Sequence, residues 1–338
     1  MINDITESRV YQKLFGFKQL PTVPNLEKFT NPSYLWHLVK KAINKSRRLA
    51  YRISLVSRVA DSLYAAKVAR YKKSLSELSE QDRAIVETLE KDGTVVIPIE
   101  ELQFSSTEPF LQKTLELGEE LRSSFSKEKF HVDVEPHKLK ECPEIFLWGV
   151  EQRLLSIMEH CIGLPVYYQG YAIRRDIVNR SSSSNTLRNW HRDVEDRAVI
   201  KIIIYLHDVG LDGGCYEYIS KDLSEKAAKT LKYNVGYLSD QKMSKVISEE
   251  NWNKRTGKLG TVIISKTSDV FHRAKPPEKE DRVSISFCYT SKKPKFYWDS
   301  QKFLPKNISE ILDGLSQQQR DSLENCNKVF GIKLGMYR

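Results

Sequence analysis

The sequence predicts a mainly β core, an antiparallel sandwich or barrel, flanked by helices. Three observations predict it. From Pro165 on, VYYQGYAIRRDIV, AVIKIIIYLHDV, CYEYIS, GTVIIS and RVSISFCYTS are rich in β-branched and aromatic residues. Turn signals separate them: Gly213 with Gly214, and Lys258, Leu259 and Gly260. On either side of this region the apolar spacing and capping residues are those of helices.

In chain order, residues 1–30 show no clear period and hold Pro21 and Pro24. Asn31 and Pro32 read as N-cap and first helical residue. Apolar residues then recur at Leu35, Leu38, Val39, Ala42, Leu49, Ile53, Val56, Ala60 and Leu63, which predicts one long amphipathic helix or two shorter ones. Ser79 caps a further helix through Ala84, Ile85 and Leu89, Gly93 ends it, and TVVIPI follows as a short strand. Residues 107–125 and 144–163 read as helices. SSSSN at 181–185 reads as a flexible loop. After the β region, NISEILDGL returns to helix, and Ser316 with Gln319 forms a capping box.

At 338 residues, 40% hydrophobic and 29% charged, the chain is long enough for a sizeable core in one large domain or two. The five cysteines (Cys142, Cys161, Cys215, Cys288, Cys326) form no C-x-x-C pair. They read as reduced thiols of a cytoplasmic protein, not as a disulfide frame or zinc site. The opening residues have no charged-then-apolar leader, so no secretory signal is expected. AVIKIIIYL, the most apolar run, is too short and too charged to span a bilayer. The formal net charge is +10, but residues 31–75 carry eleven of the 54 Lys/Arg and one of the 44 acids, so the remaining 43 of each cancel. The basicity belongs to that segment and says little about partners of the rest.

The chemistry centres on NWHRDVED, residues 189–196. On a strand, His191 and Asp193 share a face about 6–7 Å apart, a nitrogen and an oxygen donor suited to one metal ion. His272, just past a strand, offers a third ligand. Ten residues on, Arg282, Ser284, Ser286 and Cys288 share one strand face and Val283, Ile285, Phe287 and Tyr289 the other. An arginine opening the polar face of a half-buried strand needs an anion, and a bidentate carboxylate satisfies it. Two histidines and a carboxylate with open positions left describe a non-haem Fe(II) oxygenase site.

These residues resemble the Fe(II)/2-oxoglutarate dioxygenases, specifically the phytanoyl-CoA dioxygenase-like branch, whose pattern is H-x-D, a distant His, then R-x-S about ten residues on. Here the pattern reads His191-x-Asp193, His272 and Arg282-x-Ser284. The resemblance covers roughly residues 79–292, including EKDGTVVIPIEEL at its start. It implies a double-stranded β-helix (jelly roll) over residues 79–300, after a basic helical extension at 1–78 and before a helical tail at 301–338. It implies Fe(II) on His191, Asp193 and His272, and 2-oxoglutarate held at its distal carboxylate by Arg282 and Ser284. It also implies O2 as co-substrate, release of CO2 and succinate, and hydroxylation of an unactivated C–H in a small organic or lipid-like substrate. Asp193 favours a hydroxylase over a halogenase, which leaves that position to a small residue. The chain departs from the family where a Pro-Gly-Ser-His turn often stands; the place reads YISKDLSEK. The 165–175 strand is expected to border the oxoglutarate pocket through a residue the sequence does not single out.

Competing readings remain. His131-x-Asp133 is a second H-x-D, before a helix and without a strand series close behind. His207 either ligates metal or, the favoured reading, closes a strand end with a hydrogen bond. Glu195 and Asp196 read as solvated charges. Arg282 has an internal acid as its alternative partner. The basic segment 31–75 is expected to pack as a helical support with a solvated charged face; an anionic membrane surface or partner is the second reading, and nucleic acid the least favoured, because no reading motif or stacking platform is present. Two other classes stay open: a non-catalytic jelly-roll binding or scaffold protein, and a nucleic-acid-modifying dioxygenase. Relatives of the latter tend to carry a second arginine where this chain has Cys288.

Overall fold

A computed structural model describes residues 32–51, 53–124, 130–178, 188–296 and 303–324. Asn31, Cys326 and the 181–185 loop lie outside these. Residue contacts divide the chain into two compact units, 1–60 and 61–338.

In the first unit the amphipathic pattern forms α1 (Pro32–Ala50) and opens α2 (Ser54–Lys72), two helices rather than one. Val39 is 39% exposed, Leu49 53%, Ile53 57% and Val56 40%.

The second unit begins within α2. There Leu63 is exposed, and the packed face lies about a quarter-turn round. Tyr64 lies under the Arg197 guanidinium, 4.8 Å from ring centroid to Cζ. Val68 approaches Gly163 so closely that a Cβ there would meet Val68 Cγ1 at 2.6 Å. Apolar residues lie on more than one side of this helix, so spacing alone did not select the buried side.

Next comes α3 (Glu80–Asp92), where Ser79 accepts a hydrogen bond from Asp82 N–H and Gly93, at φ 79°, closes the helix. Then follow β1 (Thr94–Pro98), α4 (Thr107–Ser123), β2 (His131–Asp133), α5 (Pro136–Leu139), α6 (Pro143–Gly149) and α7 (Gln152–Ile162). The β series is β3 (Val166–Asp176), β4 (Ile200–Tyr205), β5 (Tyr216–Ile219), β6 (Trp252–Arg255), β7 (Thr261–Lys266), β8 (His272–Ala274) and β9 (Arg282–Ser291). Helices α8 (Lys221–Thr230) and α9 (Asp240–Met243) interrupt it, and α10 (Ile308–Gly314) and α11 (Gln317–Leu323) follow it. The Ser316–Gln319 capping box is present on α11.

The core is antiparallel β with flanking helices. A six-stranded sheet runs β1-β7-β4-β9-β3-β2 and a three-stranded sheet β6-β5-β8. Alternation on β9 is as the sequence predicts. Val283, Ile285, Phe287 and Tyr289 join Ile200, Ile202 and Ile204 of β4 in the core with Phe110, Phe146 and Trp148. The opposite face meets the small sheet in an interlayer containing Tyr205, Tyr216, Tyr218, Ile263 and Val270. Tyr216 Oη and Ser265 Oγ lie 2.8 Å apart across it. Trp190, Ile219 of β5, Trp252 of β6 and Phe271 form a third cluster with Ala227 of α8 and Met243 of α9. YISKDLSEK, where the family pattern is broken, becomes the end of β5 and the start of α8. Gly214 is required at the turn before β5: its φ is 71°, and a Cβ would meet the Lys275 carbonyl oxygen at 2.6 Å. Among the described residues no helix is long and apolar enough to cross a membrane.

Candidate metal centre

His191 and His272 face each other across an antiparallel bridge and exchange both backbone hydrogen bonds, at 3.1 and 3.0 Å. Paired residues project to one side of a ladder, so the two imidazoles come together with centroids 4.4 Å apart. Alternation sends Trp190 the other way, where its indole N–H donates to Asp240 Oδ1 and lies under Arg273. Asp193 N–H donates to the Thr267 carbonyl, which fixes the carboxylate beside the rings. Ligand atoms of His191, Asp193 and His272 all lie within 4.8 Å of one another, and the three residues are buried.

The protonation pattern suits a cation. His191 Nδ1 lies 2.9 Å from the Asn189 carbonyl and His272 Nδ1 3.3 Å from that of Val270. A carbonyl only accepts, so each Nδ1 carries the proton and each Nε2 keeps its lone pair. The Nε2 atoms stand 3.9 and 3.8 Å from Asp193 oxygens. Burial, reinforced by His191, pushes the His272 pKa down to about 3; burial lowers His191 too. Both rings are therefore neutral near pH 7. Burial opposes ionisation of Asp193, but Lys201, His272 and His191 together outweigh it and keep the carboxylate charged. Lys201 Nζ stands 2.7 Å from Asp193 Oδ2, yet that oxygen accepts no well-aligned hydrogen bond. Two neutral imidazole nitrogens and a charged carboxylate with an under-satisfied oxygen fit a divalent transition metal.

The second H-x-D is differently engaged. On β2, Asp133 accepts two hydrogen bonds from Arg174, at 2.6 and 3.0 Å, and His131 Nε2 stands 4.0 Å off. His207 closes a strand end, its Nε2 accepting from Val283 N–H at 3.0 Å. Arg282 lies on the interlayer face of β9, fully buried, with Nη2 2.6 Å from Asp176 Oδ2 on β3. Its anion is therefore supplied by the chain. Ser284 is buried two residues on, opposite Tyr205.

The reading of Glu195 and Asp196 as solvated charges is overturned. Asp196 is buried and accepts from Ser291 N–H and Oγ–H and from Lys295 N–H. Glu195 is half-buried, and burial followed by the Asp193 charge raises its pKa. The chain turns inward after the motif, which no local spacing announces. Sequence reasoning also passed over Lys201, taken only as a charge in an apolar run. Its phase was legible: it alternates with Ile200, Ile202 and Ile204, so it points to the opposite face.

No protein-family model matches the chain, and no curated protein matches it. Among solved structures it is similar to the non-heme alpha ketoglutarate dependent carbocyclase SnoK from nogalamycin biosynthesis, with 15% identity, TM-score 0.45, and 71% of this chain and 92% of that one covered. It is also similar to the epimerase SnoN in complex with Fe3+, alpha ketoglutarate and nogalamycin RO (13%, TM-score 0.43, 63% and 84%). A third is HygX from Streptomyces hygroscopicus with nickel and 2-oxoglutarate bound (14%, TM-score 0.41, 64% and 88%). Likenesses this distant carry no argument about activity.

Proposed function

We propose that this chain is an Fe(II)- and 2-oxoglutarate-dependent oxygenase of the phytanoyl-CoA dioxygenase-like kind, built on a double-stranded β-helix over residues 79–300, which hydroxylates a small organic or lipid-like substrate. The observation that carries it is the buried cluster of His191, Asp193 and His272, with both Nε2 lone pairs turned toward one carboxylate.

His191, Asp193 and His272 hold the metal in this reading. Backbone carbonyls fix both ring tautomers, and the Thr267 carbonyl fixes Asp193. Bound iron with 2-oxoglutarate supplies the oxidising chemistry, O2 activation with loss of CO2 and succinate. Arg282 and Ser284 hold the distal carboxylate. Burial strengthens that contact, and Asp176 occupies Arg282 Nη2 while orienting the guanidinium. Anaerobic metal loading followed by a substrate screen tests this reading. Succinate release above the uncoupled background, with a product heavier by one oxygen atom, is expected. A metal-free protein that forms no succinate would instead be a scaffold.

Residues 31–60 support a second, peripheral role at an anionic membrane surface. They contain seven Lys/Arg and no acid. They also expose Leu49, Ile53, Leu55, Val56 and Val59. Exposed apolar side chains among cations match a lipid surface with anionic headgroups.

A further inference from the structure

Two cations face the interlayer from the large sheet: Arg282, which is buried, and Lys201, whose side chain is 32% exposed. Arg282 is matched by Asp176, which the metal site does not use. Lys201 is matched by Asp193, which it does. The cross-strand neighbours of Lys201, Ser265 and Cys288, bring no formal charge to that face: Ser265 is a hydroxyl, and burial pushes the Cys288 thiol up to about 12. Asp193, at ion-pair distance, is the main counter-charge of Lys201, and the Glu195 carboxylate acts on it more weakly.

We propose that Lys201 is a positioning residue that exchanges partners: it holds Asp193 when the metal site is empty, and holds the metal-chelating carboxylate of the 2-oxo acid when the site is filled. This rests on the oxygenase reading above. A divalent ion at Asp193 repels the ammonium and takes its ion-pair partner, which leaves Lys201 with only the weaker field of the Glu195 carboxylate. A carboxylate entering beside the metal restores the balance. Metal alone therefore binds against Lys201, and metal with an anionic 2-oxo acid binds with it. The two become cooperative, as linkage between coupled sites requires. Lys201 and Arg282 take different ends of the co-substrate. Cys288, opposite Lys201, lies six residues along β9 from Arg282, roughly 20 Å of strand. The two cations therefore project from separated levels of the interlayer.

The test is calorimetric titration of Mn(II) into the full chain, anaerobically, with and without saturating 2-oxoglutarate. In the wild type, 2-oxoglutarate should tighten Mn(II) by about tenfold or more, within the usual range of coupled sites. Lys201→Met should bind Mn(II) more tightly than wild type without 2-oxoglutarate and lose most of the gain with it. Lys201→Arg should keep the gain. A neutral diketone chelator should give the wild type no comparable gain, a comparison that needs no variant to fold. A Lys201→Met protein with the full gain, or a wild type in which the neutral chelator does as well, overturns this assignment and leaves the oxygenase reading standing. A wild type that binds no Mn(II), or binds it without response to 2-oxoglutarate, overturns both.

Discussion

Arg282 and Asp176 occupy directly paired positions on β9 and β3 and form a buried ion pair of 2.6 Å. The pair gives a cation of the proposed co-substrate pocket a structural duty as well. Arg282→Leu alone strands a carboxylate that is only 10% exposed. Removing one partner of such a pair typically costs ~3–5 kcal/mol, whereas replacing both with apolar residues is often near neutral. Denaturant melts should therefore show a large loss for Arg282→Leu and recovery of most of it in Arg282→Leu/Asp176→Leu. The double variant should still bind 2-oxoglutarate about 10- to 150-fold more weakly, the value of a charge-assisted contact of ~1.5–3 kcal/mol. Unchanged affinity in a folded double variant would remove Arg282 from the pocket.

The two H-x-D motifs make opposite predictions. His191→Ala or His272→Ala should abolish stoichiometric Fe(II) or Mn(II) binding. His131→Ala should not, because Asp133 is held by both nitrogens of its Arg174 contact. Equilibrium dialysis with metal analysis decides between them. Loss of metal in the His131 variant, with retention in the other two, would move the site to β2.

Much of this arrangement was legible because it follows local rules. The Ser79 and Ser316 caps, the Gly93 stop and the face alternation of β9 need only neighbours within four residues. The spacing of His191 and Asp193 pointed to one site through an expected strand, whereas the structure forms single bridges at Trp190 and His191 and ties Asp193 by its N–H to Thr267. What the sequence left unread depends on register between distant strands. Asp176 opposite Arg282, Lys201 beside Asp193 and Ser291 over Asp196 are pairings across 106, 8 and 95 residues. Even the shortest involves a turn whose direction is set by packing. The packed side of α2 was missed for a related reason: apolar residues lie on more than one side of it, and only the surface it meets selects one.

His207 makes the fold acid-sensitive in a defined window. Its Nε2 accepts from Val283 N–H, so the folded state needs the neutral ring. Burial, with Arg122, lowers its pKa below the ordinary 6.5. The unfolded chain then binds more protons below about pH 6.5, so this contribution is complete above that pH and is lost as pH falls through the folded value. His207→Gln keeps an acceptor without titrating. Its melting temperature should fall less steeply than wild type between about pH 6.5 and 4.5. Parallel curves would show that His207 does not carry the dependence.

The helical segment allows a separation of membrane docking from folding. Leu55 and Val59 are 65% and 52% exposed, so they contribute little burial to stability. Leu55→Ser/Val59→Ser should leave the melting temperature nearly unchanged, since exposed substitutions usually stay within ~0.5 kcal/mol. It should also leave metal binding intact. The wild type should float with vesicles rich in anionic lipid and not with neutral ones, and added salt should release it, because exposed charges are screened beyond about 8 Å at physiological ionic strength. The double serine variant should lose much of that binding while keeping every Lys and Arg, which distinguishes apolar insertion from charge attraction alone. Val68→Ala supplies the contrast, as its side chain packs close to Gly163 and its truncation should lower the melting temperature without affecting flotation. A wild type that stays with the unbound fraction on anionic vesicles at low salt would end the membrane reading, and a serine variant that melts much earlier would show that these side chains are packed after all.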